Sequence, residues 1–175
     1  MNIRNTSAQL GLLLATAALT LTGCASTAAP AAEAEPAGDV IQISDAWVKS
    51  ADDGMSAAFG ELVNEGDEDI TVVSAETAAS SMLELHETVE NEAGEMVMRQ
   101  VEGGFVIPAG EALLLEPGAN HIMLMDLASP LQAGDEVTFT LTFADDSTFE
   151  FTAPVKDYSG ANETYEGGDD MEMDH

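Results

Sequence analysis

Between residues 40 and 157 the apolar residues fall into short runs in which they alternate with polar ones, and each run stops at a cluster of Gly, Asn, Asp or Pro. Alternation with a period of two marks a strand with one buried face, and no long stretch repeats near 3.6. The pattern predicts nine strands: 40–49, 56–64, 69–77, 82–89, 95–101, 111–116, 120–127, 136–143 and 148–155. Their separators, among them "NEGDED", "NEAG", "PAG", "QAGD" and "ADDS", carry turn chemistry. Nine short strands at near-regular spacing in about 118 residues predict one all-β domain, an antiparallel β-sandwich or barrel. "TAASS" (77–81) has room for a single helical turn. Trp47, the only tryptophan, is expected to anchor the core, and Met55 and Met82 to serve as packing.

The flanks follow other rules. Arg4, the apolar run "LGLLLATAALTLTG" and then Cys24 read as a secretion signal over 1–23. The run is too short for a clear membrane span, which takes about 20 apolar residues. "LTGC" resembles the lipobox of bacterial lipoproteins, which implies that Cys24 is lipidated and becomes the N-terminus. The expected location is extracytoplasmic, lipid-anchored to the cell membrane. Residues 24–39 are rich in Ala, Pro and Glu and read as a tether, 40–157 as the folded domain, and 158–175 as a flexible acidic tail.

Charge and the single cysteine exclude much. Loss of the signal removes Arg4 and leaves Lys49, Arg99 and Lys156 against 33 acidic residues, a formal charge of −30. Such a surface repels phosphate backbones, so no nucleic acid partner is expected, and contact with the membrane is through the lipid alone. Most of the acids read as solvated surface. With Cys24 acylated the domain has no thiol for a disulfide, a thiolate metal site, a cysteine nucleophile or a blue-copper centre. There is no G-x-S-x-G, no H-E-x-x-H and no phosphate-cradling glycine loop, so an enzyme is not expected.

The three histidines each have methionines nearby. His121 is followed by Met123 and Met125, His175 is preceded by Met171 and Met173, and His86 faces Met96 and Met98 across the "NEAG" turn. In a strand, His121 and Met123 share a face about 6.6 Å apart, and Met96 and Met98 share one by the same rule. Pairing of the 82–101 hairpin with the 120–127 strand would gather imidazoles and thioethers into one cluster. Thioether sulfur is a soft, neutral donor that favours Cu(I) over zinc, calcium or magnesium, and imidazole also suits copper. Thioethers do not titrate, so acid would weaken such a site through its histidines. Met125 is equally readable as core filler.

The block "LELHE…GEMVMRQVEGGFVIPAGEALLLEPGANHIMLMDL" resembles the PCuAC family of periplasmic copper chaperones, and the resemblance extends over about residues 40–156. It implies a cupredoxin-like β-sandwich and His86, Met98, His121 and Met123 as Cu(I) ligands, with Met96 as a neighbour or substitute. Eleven residues separate His86 from Met98 and 22 separate Met98 from His121, each one longer than the family's usual spacing. The resemblance further implies delivery of copper to the CuA centre of cytochrome c oxidase, through the copper-centre subunit or a thioredoxin-like copper chaperone. Met171, Met173 and His175, among acids, form a possible second ligand set that would also accept Cu(II). The alternative is a secreted acidic β-sandwich acting as a binding or adhesion module, with no specific role for metal.

Overall fold

The computed structural model describes residues 35–160 and the backbone of 164–165. After a four-residue helical turn, α1 (Ala37–Val40), come β1 (Ile41–Lys49), β2 (Ser56–Asn64), β3 (Ile70–Thr77), β4 (Leu83–Glu90), β5 (Met96–Gln100), β6 (Phe105–Ile107), β7 (Ala112–Leu115), β8 (His121–Leu124), β9 (Glu136–Phe143), β10 (Thr148–Lys156) and β11 (Thr164–Tyr165). Every strand predicted from the alternation is present. Two more are short: β6, three residues that pair with β3, and β11, which runs parallel to β5 at Val97 and Met98. "TAASS" is a turn, not a helix. The buried Ser80 donates its hydroxyl to the Met82 carbonyl and accepts from the Asp126 N–H, which holds the chain extended into β4.

The strands form two layers. One has the order β11-β5-β4-β8-β2-β1, with β7 on the other half of β2, and the second has the order β10-β9-β3-β6. They are joined where β1 and β10 pair in parallel at Val48–Val155 and Lys49–Lys156. All other pairings are antiparallel except β5–β11, and the result is a cupredoxin-like antiparallel β-sandwich. The core between the layers holds Leu62, Val72, Leu85, Ile122, Leu124, Phe139 and Leu141. Each is alternate to a residue on the outer face of its strand, as the period of two requires.

One irregularity bears directly on the site. The β1–β2 register shifts between Ser44 and Trp47, with Asp45 in the left-handed region at φ 51°. A bulge inserts one residue and reverses which face the following side chains take. Ile41 and Ile43 belong to the main core, but beyond the bulge it is Ala46 and Val48 that do, and Trp47 faces outward. Gly60 makes room opposite: a Cβ there would lie 3.1 Å from both Ala46 Cα and the Ser44 carbonyl. Trp47 is therefore not the core anchor expected of it. It packs on Phe59, ring centroids 4.6 Å apart, in a separate outer cluster.

Polar contacts hold α1, not a large apolar area. Ala37 N–H donates to Asp145 Oδ2 at 2.8 Å and Gly38 N–H to Ser147 Oγ at 2.9 Å, with Ala37 buried. The Ser147 hydroxyl and the Ala37 N–H hold the Asp145 carboxyl below its ordinary value.

Candidate metal centre

The layer containing β4, β8 and β2 has a second face, turned away from the core. Leu83 and Leu85 of β4 pack into the core, so Glu84, His86 and Thr88 project the other way. In β8, Ile122 and Leu124 face the core and leave His121 and Met123 outward; in β2, Ala58 and Leu62 do, leaving Ala57 and Phe59 outward. The outward residues make a small cluster of their own. Ala57, Phe59, Met98 and Met123 are buried in it, and Trp47 and Met125 pack against them.

Register decides which residues meet. His86 is directly opposite His121 in the β4–β8 pair, and the two rings lie edge to face with centroids 5.5 Å apart. Met123 is opposite Glu84 on one side and Ala57 on the other. In the β4–β5 hairpin Met98 is opposite Thr88, two residue pairs along from His86 and on the same face. Relative exposures are 0% for His86, 2% for His121, 5% for Met123 and 8% for Met98, against 48% for Met96, which shares a face with Met98 but sits at the solvent-exposed start of β5. Met55 and Met82, expected as packing, are instead exposed at 47% and 50%. Cys24, Met171, Met173 and His175 lie outside the described residues.

Hydrogen bonds orient both imidazoles. His86 Nε2 lies 2.8 Å from Glu84 Oε2, and His121 Nδ1 lies 2.9 Å from the Ala119 carbonyl. A carbonyl only accepts, so His121 carries its proton on Nδ1, and in neutral form its lone pair is on Nε2. The Glu84 carboxylate favours the proton of His86 on Nε2, which puts that lone pair on Nδ1. A carboxylate or carbonyl behind each imidazole is the arrangement that fixes the tautomer of metal-binding histidines. Glu84 was not singled out in the sequence, although its place two residues before His86 in "LELHE" sets it on the same face.

In front of the cluster is a cavity of about 180 Å³, lined by Met98, His121, Met123, Ala57, Phe59 and Met55 among others. Lys49 also lines it and donates from Nζ to the Gly160 carbonyl at 2.8 Å. Tyr158 packs edge-on against Trp47 at 5.3 Å, so the start of the expected tail lies against this side of the domain. Among the described residues no three His, Cys, Asp or Glu side chains come together. The donors gathered here are imidazole and thioether, a set matched to a soft monovalent ion and poor for zinc, calcium or magnesium.

Residues 41–155 match the model of a family described as LpqE-like lipoproteins. The chain belongs to that family. Among relatives of this LpqE-like protein, one from Leifsonia xyli subsp. xyli that is named as a lipoprotein is 50% identical over 151 residues, 85% of this chain and 90% of that one. Among solved structures, the Cu(I) form of DR1885 from Deinococcus radiodurans is 30% identical, with TM-score 0.53 over 74% of this chain and 84% of that one. The copper-bound PCuAC domain of PmoF2 has the same fold at TM-score 0.57 and 17% identity, over 73% of this chain and all of that domain. The LpqE-like protein is thus of the PCuAC type, as the "HIMLM" block implies. No helix among its described residues is long and apolar enough to cross a membrane.

Proposed function

We propose that this LpqE-like protein is an extracytoplasmic copper chaperone that binds Cu(I) through His86, Met98, His121 and Met123 and passes it to a cuproprotein. The observation that carries the reading is the direct cross-strand pairing of His86 and His121, beside Met123 and Met98, on a buried face outside the main core. Copper here is cargo. His86 Nδ1 and His121 Nε2 supply the stronger donors, and the two thioethers complete a neutral set that favours the lower oxidation state. No bond is made or broken in substrate, so no catalytic residue is required. The Cu(I) form of DR1885 supports the choice of metal.

The acceptor in this reading is the CuA centre of cytochrome c oxidase, reached directly on its copper-centre subunit or through a thioredoxin-like copper chaperone. Residues 1–23 are a signal peptide, Cys24 carries the lipid that anchors the chain to the outer side of the membrane, and the segment up to residue 39 is the tether. Met96 is a neighbour of the site, not a ligand. Met171, Met173 and His175 are a further donor set on the tail, one that also accepts Cu(II).

An anaerobic Cu(I) titration of the mature chain against a chromophoric competitor tests the core of this. The expected result is one tightly held equivalent that is lost in His121→Ala and in Met123→Leu and kept when the chain is cut after Gly160. Tight binding unchanged in both point variants would leave a secreted acidic β-sandwich with no metal role. Labelled palmitate incorporated by the wild type and not by Cys24→Ala tests the anchor.

A further inference from the structure

Next to the His/Met cluster, on the same face, lies a row of methionines that the ligand set does not use. Alternation turns Met82 outward with Glu84 and His86, and Met125 outward with His121 and Met123. Leu83 is opposite Leu124, and the Met125 N–H donates to the Met82 carbonyl at 2.9 Å, so Met82 and Met125 are side by side. On the other flank Ser56 is opposite Leu124, which sets Met55 beside Met125. Neighbouring strands are about 4.8 Å apart, so three thioethers span this end of β2, β8 and β4 within reach of one ion.

Two features separate this row from ordinary packing. Met55 and Met82 are about half exposed, at 47% and 50%, so neither fills a core gap. Met55 also lines the cavity that holds Met98, His121 and Met123, and Met125 packs against the Met98–Met123 cluster. The outer row is therefore continuous with the inner site, through Met55 at the cavity and through Met125 one step of the period from Met123.

We propose that Met55, Met82 and Met125 form a second, outer Cu(I) site made of thioethers alone, which loads the inner site across Met123. It rests on the Cu(I) reading of the inner site. Lacking imidazole, it binds more weakly and fills second. The acids Asp52, Asp53 and Asp126, within three positions of Met55 or Met125 in the sequence, would raise the local concentration of a cation without competing as soft donors.

The test is methyl NMR of the mature chain labelled at the methionine methyl groups and titrated with Ag(I), a redox-inert stand-in for Cu(I). The first equivalent is expected to shift Met98 and Met123, and the second to shift Met55, Met82 and Met125. In Met55→Leu/Met82→Leu, where both positions are exposed and the fold is expected to hold, the second event should be lost and the first kept. A second equivalent that shifts only Met171 and Met173, or that persists on Met125 in the double variant, overturns the outer site. A first equivalent that leaves Met98 and Met123 unmoved instead refutes the inner site, and the signals of the outer row report independently of it.

Discussion

His86 and His121 face each other across the β4–β8 pair with ring centroids 5.5 Å apart, each ring held from behind by an oxygen, Glu84 Oε2 for one and the Ala119 carbonyl for the other. The two histidines are 35 positions apart in the chain, yet the register sets them directly opposite each other. Preorganised donors lose little freedom when a metal arrives, which favours binding.

The methionines of β5 divide by burial. Met98→Leu keeps the apolar volume and removes one sulfur, and it is expected to lower Cu(I) affinity by about tenfold or more, that is, by more than ~1.4 kcal/mol. Met96→Leu is expected to leave affinity within a factor of about two. Competition titrations of the two variants side by side check this, and equal losses would count against Met98 as the ligand.

In the proposed site Glu84 would act by positioning the His86 ring, 2.8 Å from its Nε2. In Glu84→Gln the His86 ring loses its charged partner, and Cu(I) affinity is expected to fall about 10- to 100-fold, the usual effect of losing an oxygen partner behind a metal-binding imidazole. The thermal midpoint of the metal-free protein should scarcely move, because the carboxylate is partly solvated, at 17% side-chain exposure. Titration with parallel melting separates the two effects; a drop in melting alone would make Glu84 merely structural.

The bulge in β1 is expected to be sensitive at Asp45. A β-branched residue is strained at φ 51°, so Asp45→Val should cost about 1–2 kcal/mol. Asp45→Gly, which adopts that conformation freely, should cost far less. Because the bulge sets the face of Trp47, the fluorescence of this single tryptophan should shift in Asp45→Val and stay in place in Asp45→Gly. Denaturant melts followed by Trp emission read both quantities.

Acid is expected to loosen the α1 end first. The Asp145 carboxyl is held below its ordinary value of 3.8 by the Ser147 hydroxyl and the Ala37 N–H. A lowered value in the folded state means the contribution to stability is complete above the ordinary value and is lost as pH falls from there through the folded-state value. Asp145→Asn should therefore show a shallower loss of thermal midpoint between neutral pH and pH values below 3.8 than the wild type. Identical acid slopes would assign the acid sensitivity elsewhere.

Nine of the eleven described strands, the all-β class and the soft donor chemistry follow from local rules. A period of two and Gly/Asn/Asp/Pro separators need only neighbouring residues to be read, and the pairing of His121 with Met123 on one face follows from the same alternation. β6 carried a weak signal in its three apolar residues, and β11, inside an acidic Gly-rich stretch, carried none. What the tertiary structure decided is register and side. The choice of β8 as the partner of β4 is a long-range pairing, and it is what sets His86 against His121. The exposure of Met96 and the burial of Met98 depend on which part of β5 the cluster covers. Simple alternation from Ile41 and Ile43 would turn Trp47 into the core; a single inserted residue at the bulge turns it out to the site. Alternation specifies which residues share a face within a strand, whereas packing between distant strands decides which face is core and which face carries the His/Met cluster.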